Sequence, residues 1–307
     1  MLLLPVAFVI LTSGCTVPGL PFFGGETAYE NDVVIIRSLD AFPTTATSNQ
    51  PITLVAYVQN VGKQDFDGQK TVAGKPNTVD VSLYDYCDGL FRTVRVKCPD
   101  DSGFKDKQAC SGITLLRQET KAVEWTLTPS DVKKLATPCD LKVSVNYPYK
   151  STSVTSVSFI SQQEYKRQLQ EGKFTQKTSS KTLGDGPLKA SWTVQTPQPV
   201  VYSSGGSIAM MLDVQNRGRG FVRENTFTIT ESSIESDSGF TVNKDKCAAT
   251  VNSEQTLVQG KRSVPCEIEM KQMSIATELT KQFRVGIEYT YEFRSQKRVE
   301  VVPPAGA

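Results

Sequence analysis

The chain has 307 residues, a length that fits two or three domains, and its 34 Lys and Arg against 32 Asp and Glu leave a net charge of +2. That balance gives little electrostatic steering toward nucleic acid, and no nucleic-acid partner is expected. Histidine is absent, which removes the commonest general base and the commonest metal ligand and rules out any Ser-His-Asp or Cys-His site.

The chain opens with an apolar run, Leu-Leu-Leu-Pro-Val-Ala-Phe-Val-Ile-Leu, over residues 2–11, followed by Thr12-Ser13-Gly14-Cys15. The run is too short to span a bilayer and ends in small residues, so 1–14 reads as a signal peptide. The Ser-Gly-Cys ending resembles the lipobox of prokaryotic lipoproteins. That resemblance implies cleavage before Cys15, a lipid on its sulfur, and a place on the extracellular face of the cytoplasmic membrane or the cell surface. The residues leave open an ordinary signal peptide or an uncleaved anchor. Residues 15–31 carry Pro18, Pro21, Phe22, Phe23 and several glycines, and read as a flexible tether.

A first β domain is expected over 32–160. Asp32-Val-Val-Ile-Ile-Arg37 is a short strand; Phe42-Pro43 and a Thr/Ser-rich turn follow. Then comes Ile52-Thr-Leu-Val-Ala-Tyr-Val-Gln-Asn-Val-Gly62, which puts Ile52, Leu54, Ala56 and Val58 on one face at period two. The same pattern returns as Ile208-Ala-Met-Met-Leu-Asp-Val-Gln-Asn-Arg-Gly218, with Ile208, Met210, Leu212 and Val214 on the matching face. Both copies end in Asn-x-Gly, which suits a turn because Asn and Gly tolerate positive φ. A short strand, a proline, a polar turn and a strand ending in Asn-x-Gly resemble the CARDB-type, immunoglobulin-like domains of prokaryotic surface proteins, archaeal ones included. The resemblance covers residues 32–66 and the echo at 188–221. It implies seven-stranded sandwiches in tandem, with roles in adhesion or as spacers, and brings no catalytic residues.

Further along, Val79–Tyr86 alternates, Asp88-Gly89 suits a hairpin turn, and Leu90–Lys97 returns as a strand. Residues 98–112 form a polar loop. Lys121–Leu127 is a strand with Trp125 facing the core, or less readily a sugar. Leu141-Lys-Val-Ser-Val-Asn-Tyr-Pro-Tyr149 has its own echo in Phe283-Arg-Val-Gly-Ile-Glu-Tyr-Thr-Tyr291. Two echoes in the same order argue for a duplicated domain. After each tyrosine pair a polar turn and a last strand are expected, Val154–Ile160 and Lys297–Val302. Between the halves, 161–187 reads as a linker: a short helix with Ser161 and Glu164 at capping-box spacing and a stop at Gly172, then a flexible run to Pro187. The second domain covers 188–302, and 303–307 is a tail.

Apart from Cys15, six cysteines remain, four in the first half and two in the second, and no Cys-x-x-Cys pair suggests zinc. An even split of this kind fits closed disulfides in an exported protein. Cys247–Cys266 is expected in the second half. Four cysteines permit three connectivities in the first; Cys98–Cys110 with Cys87–Cys139 is favoured, because the former closes the polar loop.

Candidates for chemistry are few. Asp100, Asp101 and Asp106 make the 98–112 loop oxygen-rich, so they are weak candidates for a structural calcium, and Asp65-Phe-Asp67-Gly68 is only a fragment of a calcium loop. Arg217-Gly-Arg219 is a turn with an alternative as an anion catcher. No cofactor is expected. A Ser-Lys site stays formally open, though no Ser-x-x-Lys stands in a convincing context, and a carboxylate-pair hydrolase is the catalytic alternative. The sequence therefore predicts an all-β protein, two tandem immunoglobulin-like β-sandwiches joined by a short helical linker. The expected role is non-catalytic: a lipid-anchored adhesion, binding or spacer module. Its partners would be the membrane, through the lipid, and an envelope or surface protein or glycan. Self-association into a filament or layer through β-strand edges is the alternative. Val55 and Met211, apolar on outward positions, and the two Tyr-x-Tyr strands hint at a contact surface, or else cover the joint between the halves.

Overall fold

The computed structural model describes residues 31–48, 50–132, 135–232, 239–243, 246–247, 250–271 and 275–304. The leader 1–14, Cys15 with the tether through residue 30, and the tail from 305 lie outside the described residues.

The first half contributes β1 (Val34–Phe42), β2 (Thr45–Thr47), β3 (Ile52–Asn60), β4 (Thr71–Val72), β5 (Lys75–Pro76), β6 (Val79–Asp85), β7 (Phe91–Lys97), β8 (Ala109–Ile113), β9 (Thr120–Pro129) and β10 (Thr137–Ser161). Helix α1 (Gln162–Gln170) follows. The second half contributes β11 (Ser180–Thr182), β12 (Leu188–Val194), β13 (Val200–Tyr202), β14 (Ser207–Asn216), β15 (Phe221–Val222), β16 (Thr226–Ser232), β17 (Phe240–Val242), β18 (Glu254–Thr256), β19 (Lys261–Met270) and β20 (Glu278–Val302). Among the described residues the elements are β-strands apart from α1 and a 3-10 turn at Arg223–Asn225.

Each half has its own four-stranded antiparallel sheet, and the two have the same plan. The orders are β1-β3-β9-β7 and β12-β14-β19-β17, with the two repeat strands, β3 and β14, in matching places. All four expected inward residues of each repeat strand are buried. Their alternation leaves a face that another layer must cover. The covering sheet is shared. It is a single ten-stranded sheet whose main path runs β18-β16-β20-β10-β6-β8, with β11 and β13 added on β10 and β2 and β15 added on β20.

The shared sheet corrects the expectation of two sandwiches connected only by a linker. β10 and β20 are each 25 residues long and pair antiparallel from Thr137↔Val301 to Ile160↔Glu278. The register is symmetric about the Pro148↔Thr290 pair, so each strand serves its own half and then crosses into the other. At the far ends the exchange is sealed by parallel partners: β2 of the first half pairs with the end of β20, and β13 of the second half with the end of β10.

No polar turn interrupts β10 after Tyr149 or β20 after Tyr291. The reason lies in the hydroxyls that mimic a turn signal. Ser151, Ser153 and Thr155 are buried and point inward. Ser151 Oγ donates to the carbonyl of Asp185 (2.7 Å), Ser153 Oγ accepts from the Gly184 amide (2.8 Å), and Thr155 Oγ1 donates to the carbonyl of Trp192 (3.3 Å). Polar residues are tolerated inside because incoming backbone groups need them. The same contacts fix the end of the expected flexible run: β11 pairs with Val154–Ser156, and 186–188 are buried.

The helix begins where the sequence places it. Ser161 Oγ caps the Glu164 amide (3.2 Å), and Gly172, at φ +65°, takes the left-handed position that ends it. Tyr165 packs edge-on against Phe174 at 5.0 Å.

Candidate functional site

The best-built feature of the molecule is the waist where β10 and β20 cross. Tyr147, Tyr149, Tyr289 and Tyr291 all lie there on one face and are all buried. Tyr147 stands opposite Tyr291 with ring centres 5.8 Å apart, and Tyr149 opposite Tyr289 at 6.1 Å. Phe66 adds an edge-on contact to Tyr147 at 5.5 Å. The tyrosines therefore cover the joint between the halves, and the reading of them as an outward contact surface is overturned. The alternation that puts them inward is the same alternation that fills both cores.

The waist is framed by the two Asn-x-Gly turns. Asn60 Oδ1 accepts from the Gly62 amide (3.0 Å) and its Nδ2 donates to the carbonyls of Gln64 (2.8 Å) and Leu115 (3.2 Å). Asn216 Oδ1 accepts from the Gly218 amide (3.1 Å) and its Nδ2 donates to the Gly220 carbonyl (2.8 Å). Each glycine is required by close approach. A Cβ on Gly62 would lie 2.5 Å from Val33 Cγ1; on Gly218 it would lie 2.3 Å from the Tyr291 hydroxyl and 2.5 Å from both Asp32 Oδ1 and Pro187.

Two carboxylates that sequence reasoning passed over sit at this joint. Asp185 Oδ2 accepts from the Tyr149 hydroxyl (2.7 Å). Asp32, almost fully buried, accepts from the Arg219 amide (3.1 Å). Burial raises the Asp32 carboxyl above the usual carboxylate range, against the opposing pull of the Arg219 amide and charge. Burial likewise raises the four tyrosine hydroxyls, and for Tyr149 the Asp185 carboxylate adds to the effect. The Arg217-Gly-Arg219 turn is thus occupied by the chain's own Asp32, held on the Arg219 amide. A signal was present in the sequence: Asp185 lies between two glycines immediately before Pro187 and the first strand of the second half.

The three disulfides are Cys87–Cys139, Cys98–Cys110 and Cys247–Cys266, the pairing favoured on sequence grounds, with Cα separations of 5.9, 5.6 and 4.1 Å. The second ties the loop that held the calcium candidates. Those candidates do not converge. Asp101 pairs with Lys105 (2.7 Å), Asp106 with Arg95 (3.1 Å) and Asp100 with Lys121 (3.5 Å). Among the described residues no group of three or more His, Cys, Asp or Glu is placed to hold a metal ion. Asp65 and Asp67 are also used locally, the first by Arg117 (2.8 Å from its amide) and the second by the Gln69 amide (3.0 Å). A cleft of about 680 Å³ lies beside the tied loop, bounded by Pro99, Asp101, Lys105, Gln108 and Ser111. Trp125 is buried, and its indole N–H donates to the Gln108 carbonyl (3.0 Å), so it supports this loop from the core and offers no face to a sugar. Val55 is half-buried beside exposed Tyr57 in a shallow groove of about 480 Å³, and Met211 is half-buried. Cys15, the lipidation candidate, lies outside the described residues. No described helix is long and apolar enough to cross a membrane.

No family model matches the chain, and no curated protein matches it. Among solved structures it is similar to the native conformation of E. coli alpha-2-macroglobulin, at 12% identity and a TM-score of 0.20, over 90% of this chain and 17% of that one. It is also similar to a mutant of Salmonella alpha-2-macroglobulin, at 14% identity and a TM-score of 0.17, over 89% of this chain and 16% of that one. The chain thus spans less than a fifth of these neighbours, and likenesses this weak carry no argument about fold or function.

Proposed function

We propose that the chain is a non-catalytic, lipid-anchored surface protein, built from two immunoglobulin-like sandwiches of the CARDB type and acting as a rigid adhesion, binding or spacer module of the envelope. The observation that carries this reading is the crossing of β10 and β20. A flexible string of beads needs only a linker; a full-length exchange of terminal strands fixes the two lobes relative to each other. Three disulfides suit an oxidising, extracytoplasmic site. The three carboxylates of the 98–112 loop each pair with a cation, which does not favour a carboxylate pair for hydrolysis there. The outer strands of the shared sheet, β8 and β18, have five and three residues. Edges this short are poor templates for strand addition, but the four-stranded sheets end in the longer strands β1, β7 and β12, of nine, seven and seven residues, so self-association through those edges stays the alternative.

Replacing Cys15 with Ser is the first test. The variant is expected in the soluble fraction, and persistent detergent-dependent membrane association would contradict a lipid anchor. A pull-down of the purified chain against envelope fractions, with parallel size measurement, tests the module: a retained protein or glycan supports it, and ordered filaments or a hydrolytic activity abolished by changing one carboxylate pair would overturn it.

A further inference from the structure

The place where the anchored end enters the fold is known from Asp32. The Asp32 carboxylate lies on the Arg219 amide, and Val33 O accepts from the amides of Val61 (2.8 Å) and Gly62 (3.2 Å). The first described residues are therefore held between the two Asn-x-Gly turns, at the waist, and not at the far end of either lobe.

The surface around that point is basic. Lys63 follows the first turn directly, and Arg217 lies within the second. Lys261 and Arg262 are brought to the same turn by pairing: Lys261 stands opposite Gln215, Arg262 opposite Val214, and the Asn216 amide donates to the Gly260 carbonyl (2.8 Å). All four side chains are exposed. None of the four makes an ion pair among the described residues, and the Arg217 guanidinium donates only to Gln215 Oε1 (2.9 Å). Elsewhere some cations are ion-paired: Lys105 with Asp101, Arg95 with Asp106, and Arg167 with Glu164 and Glu171. Asp32 is buried and engaged by the turn itself.

We infer that the waist is a membrane-docking face, on which Lys63, Arg217, Lys261 and Arg262 meet the headgroups of anionic lipids around the point where the tether emerges. The inference rests on the proposed anchoring at the N-terminal end and adds its orientation. Exposed cations close to a negatively charged bilayer are attracted over about one Debye length, and the attraction is removed by salt. An anchor alone holds the protein at the membrane but leaves it free to tumble on its tether; the basic face selects one pose, with the far ends of both lobes free for partners.

The test uses the full-length protein reconstituted into vesicles of phosphatidylglycerol or of phosphatidylcholine, with lysine acylation by a water-soluble amine reagent read by peptide mapping. Flotation with phosphatidylcholine vesicles reports the anchor by itself, independently of the basic face. On phosphatidylglycerol, Lys63 and Lys261 are expected to be shielded several-fold relative to Lys166 of α1, with shielding lost in high salt and absent on phosphatidylcholine. Protein that does not float with phosphatidylcholine still reports on the face by binding phosphatidylglycerol from solution. The charge reversal R217E/R262E, at exposed positions outside both cores, is expected to abolish the shielding while leaving flotation unchanged. Equal labelling of Lys63 and Lys261 on both vesicle types, or shielding that survives the double reversal, would overturn the inference.

Discussion

The two halves of the waist solve one problem with different polar partners. In the second half the Tyr291 hydroxyl donates to Asn216 Oδ1 (3.1 Å), within its own half's Asn-x-Gly turn. In the first half the corresponding Tyr149 donates instead to Asp185, in the segment that leads into the other half. A parallel difference holds for the inner pair. The Leu188 amide donates to the Tyr289 hydroxyl (3.3 Å), whereas the equivalent Val34 amide reaches toward the Tyr147 hydroxyl without closing a bond of ordinary geometry. The rings, the register and the turns are common to both halves; the hydrogen-bond partners are not. Apolar packing tolerates duplication because it requires only shape and periodicity, while each hydroxyl must find whichever donor or acceptor the local chain supplies.

The comparison can be broken most severely by removing a ring. Tyr289→Ala is expected to lower stability by about 3–5 kcal/mol in denaturant unfolding, since it leaves a cavity between both halves. Ser151→Pro comes next. Were residues 150–153 a turn, proline there would be accepted; inside a continuous β10 it is expected to cost about 3 kcal/mol, through a disturbed ladder and the lost bond to Asp185. Gly218→Ala is expected to cost about 1–3 kcal/mol, because its methyl group would overlap Tyr291, Asp32 and Pro187, and Gly62→Ala should do the same against Val33. The polar asymmetry is sharpened by a smaller pair of changes. Tyr149→Phe deprives a carboxylate of its donor and is expected to cost about 1.5 kcal/mol, more than Tyr291→Phe, which leaves Asn216 bonded to the Gly218 amide.

Asp32 gives the smallest effect, and a pH-dependent one. Its carboxyl is raised in the folded state, so the fold holds this proton more tightly than the unfolded chain does. The corresponding stability is present below the unfolded value and is lost as pH rises through the raised one. Thermal unfolding of wild type is therefore expected to gain relative to Asp32→Asn as pH is lowered into and below the carboxylate range. A pH-independent difference between the two would remove Asp32 from the account.

Much of this fold was legible in the sequence. Period-two alternation located the repeat strands, both Asn-x-Gly ends proved to be turns closed by the asparagine side chain, and the polar loop between Cys98 and Cys110 is tied as its spacing suggested. The crossing was not legible, for a physical reason. Lys150-Ser-Thr-Ser153 has the composition of a turn, and nothing local to it reveals that Ser151 and Ser153 serve the backbone of residues 184 and 185 more than thirty positions away. Once that run is taken for a turn, each long strand falls into two, and the halves read as independent. The same long-range pairing hid Asp32, whose partner Arg219 lies in the second half, and Asp185, a linker residue whose partner Tyr149 lies in the first.

Native-state hydrogen exchange, resolved to single amides across 141–160 and 283–302, tests the crossing most directly. With β10 and β20 continuous, the ladder amides of Lys150–Ser153 and of Glu292–Gln296 are expected to exchange as slowly as those of Leu141–Val145, through the same cooperative opening. Fast exchange confined to 150–153 and 292–296, between two protected stretches, would mean that each strand breaks at a turn and that the two halves are separate sandwiches.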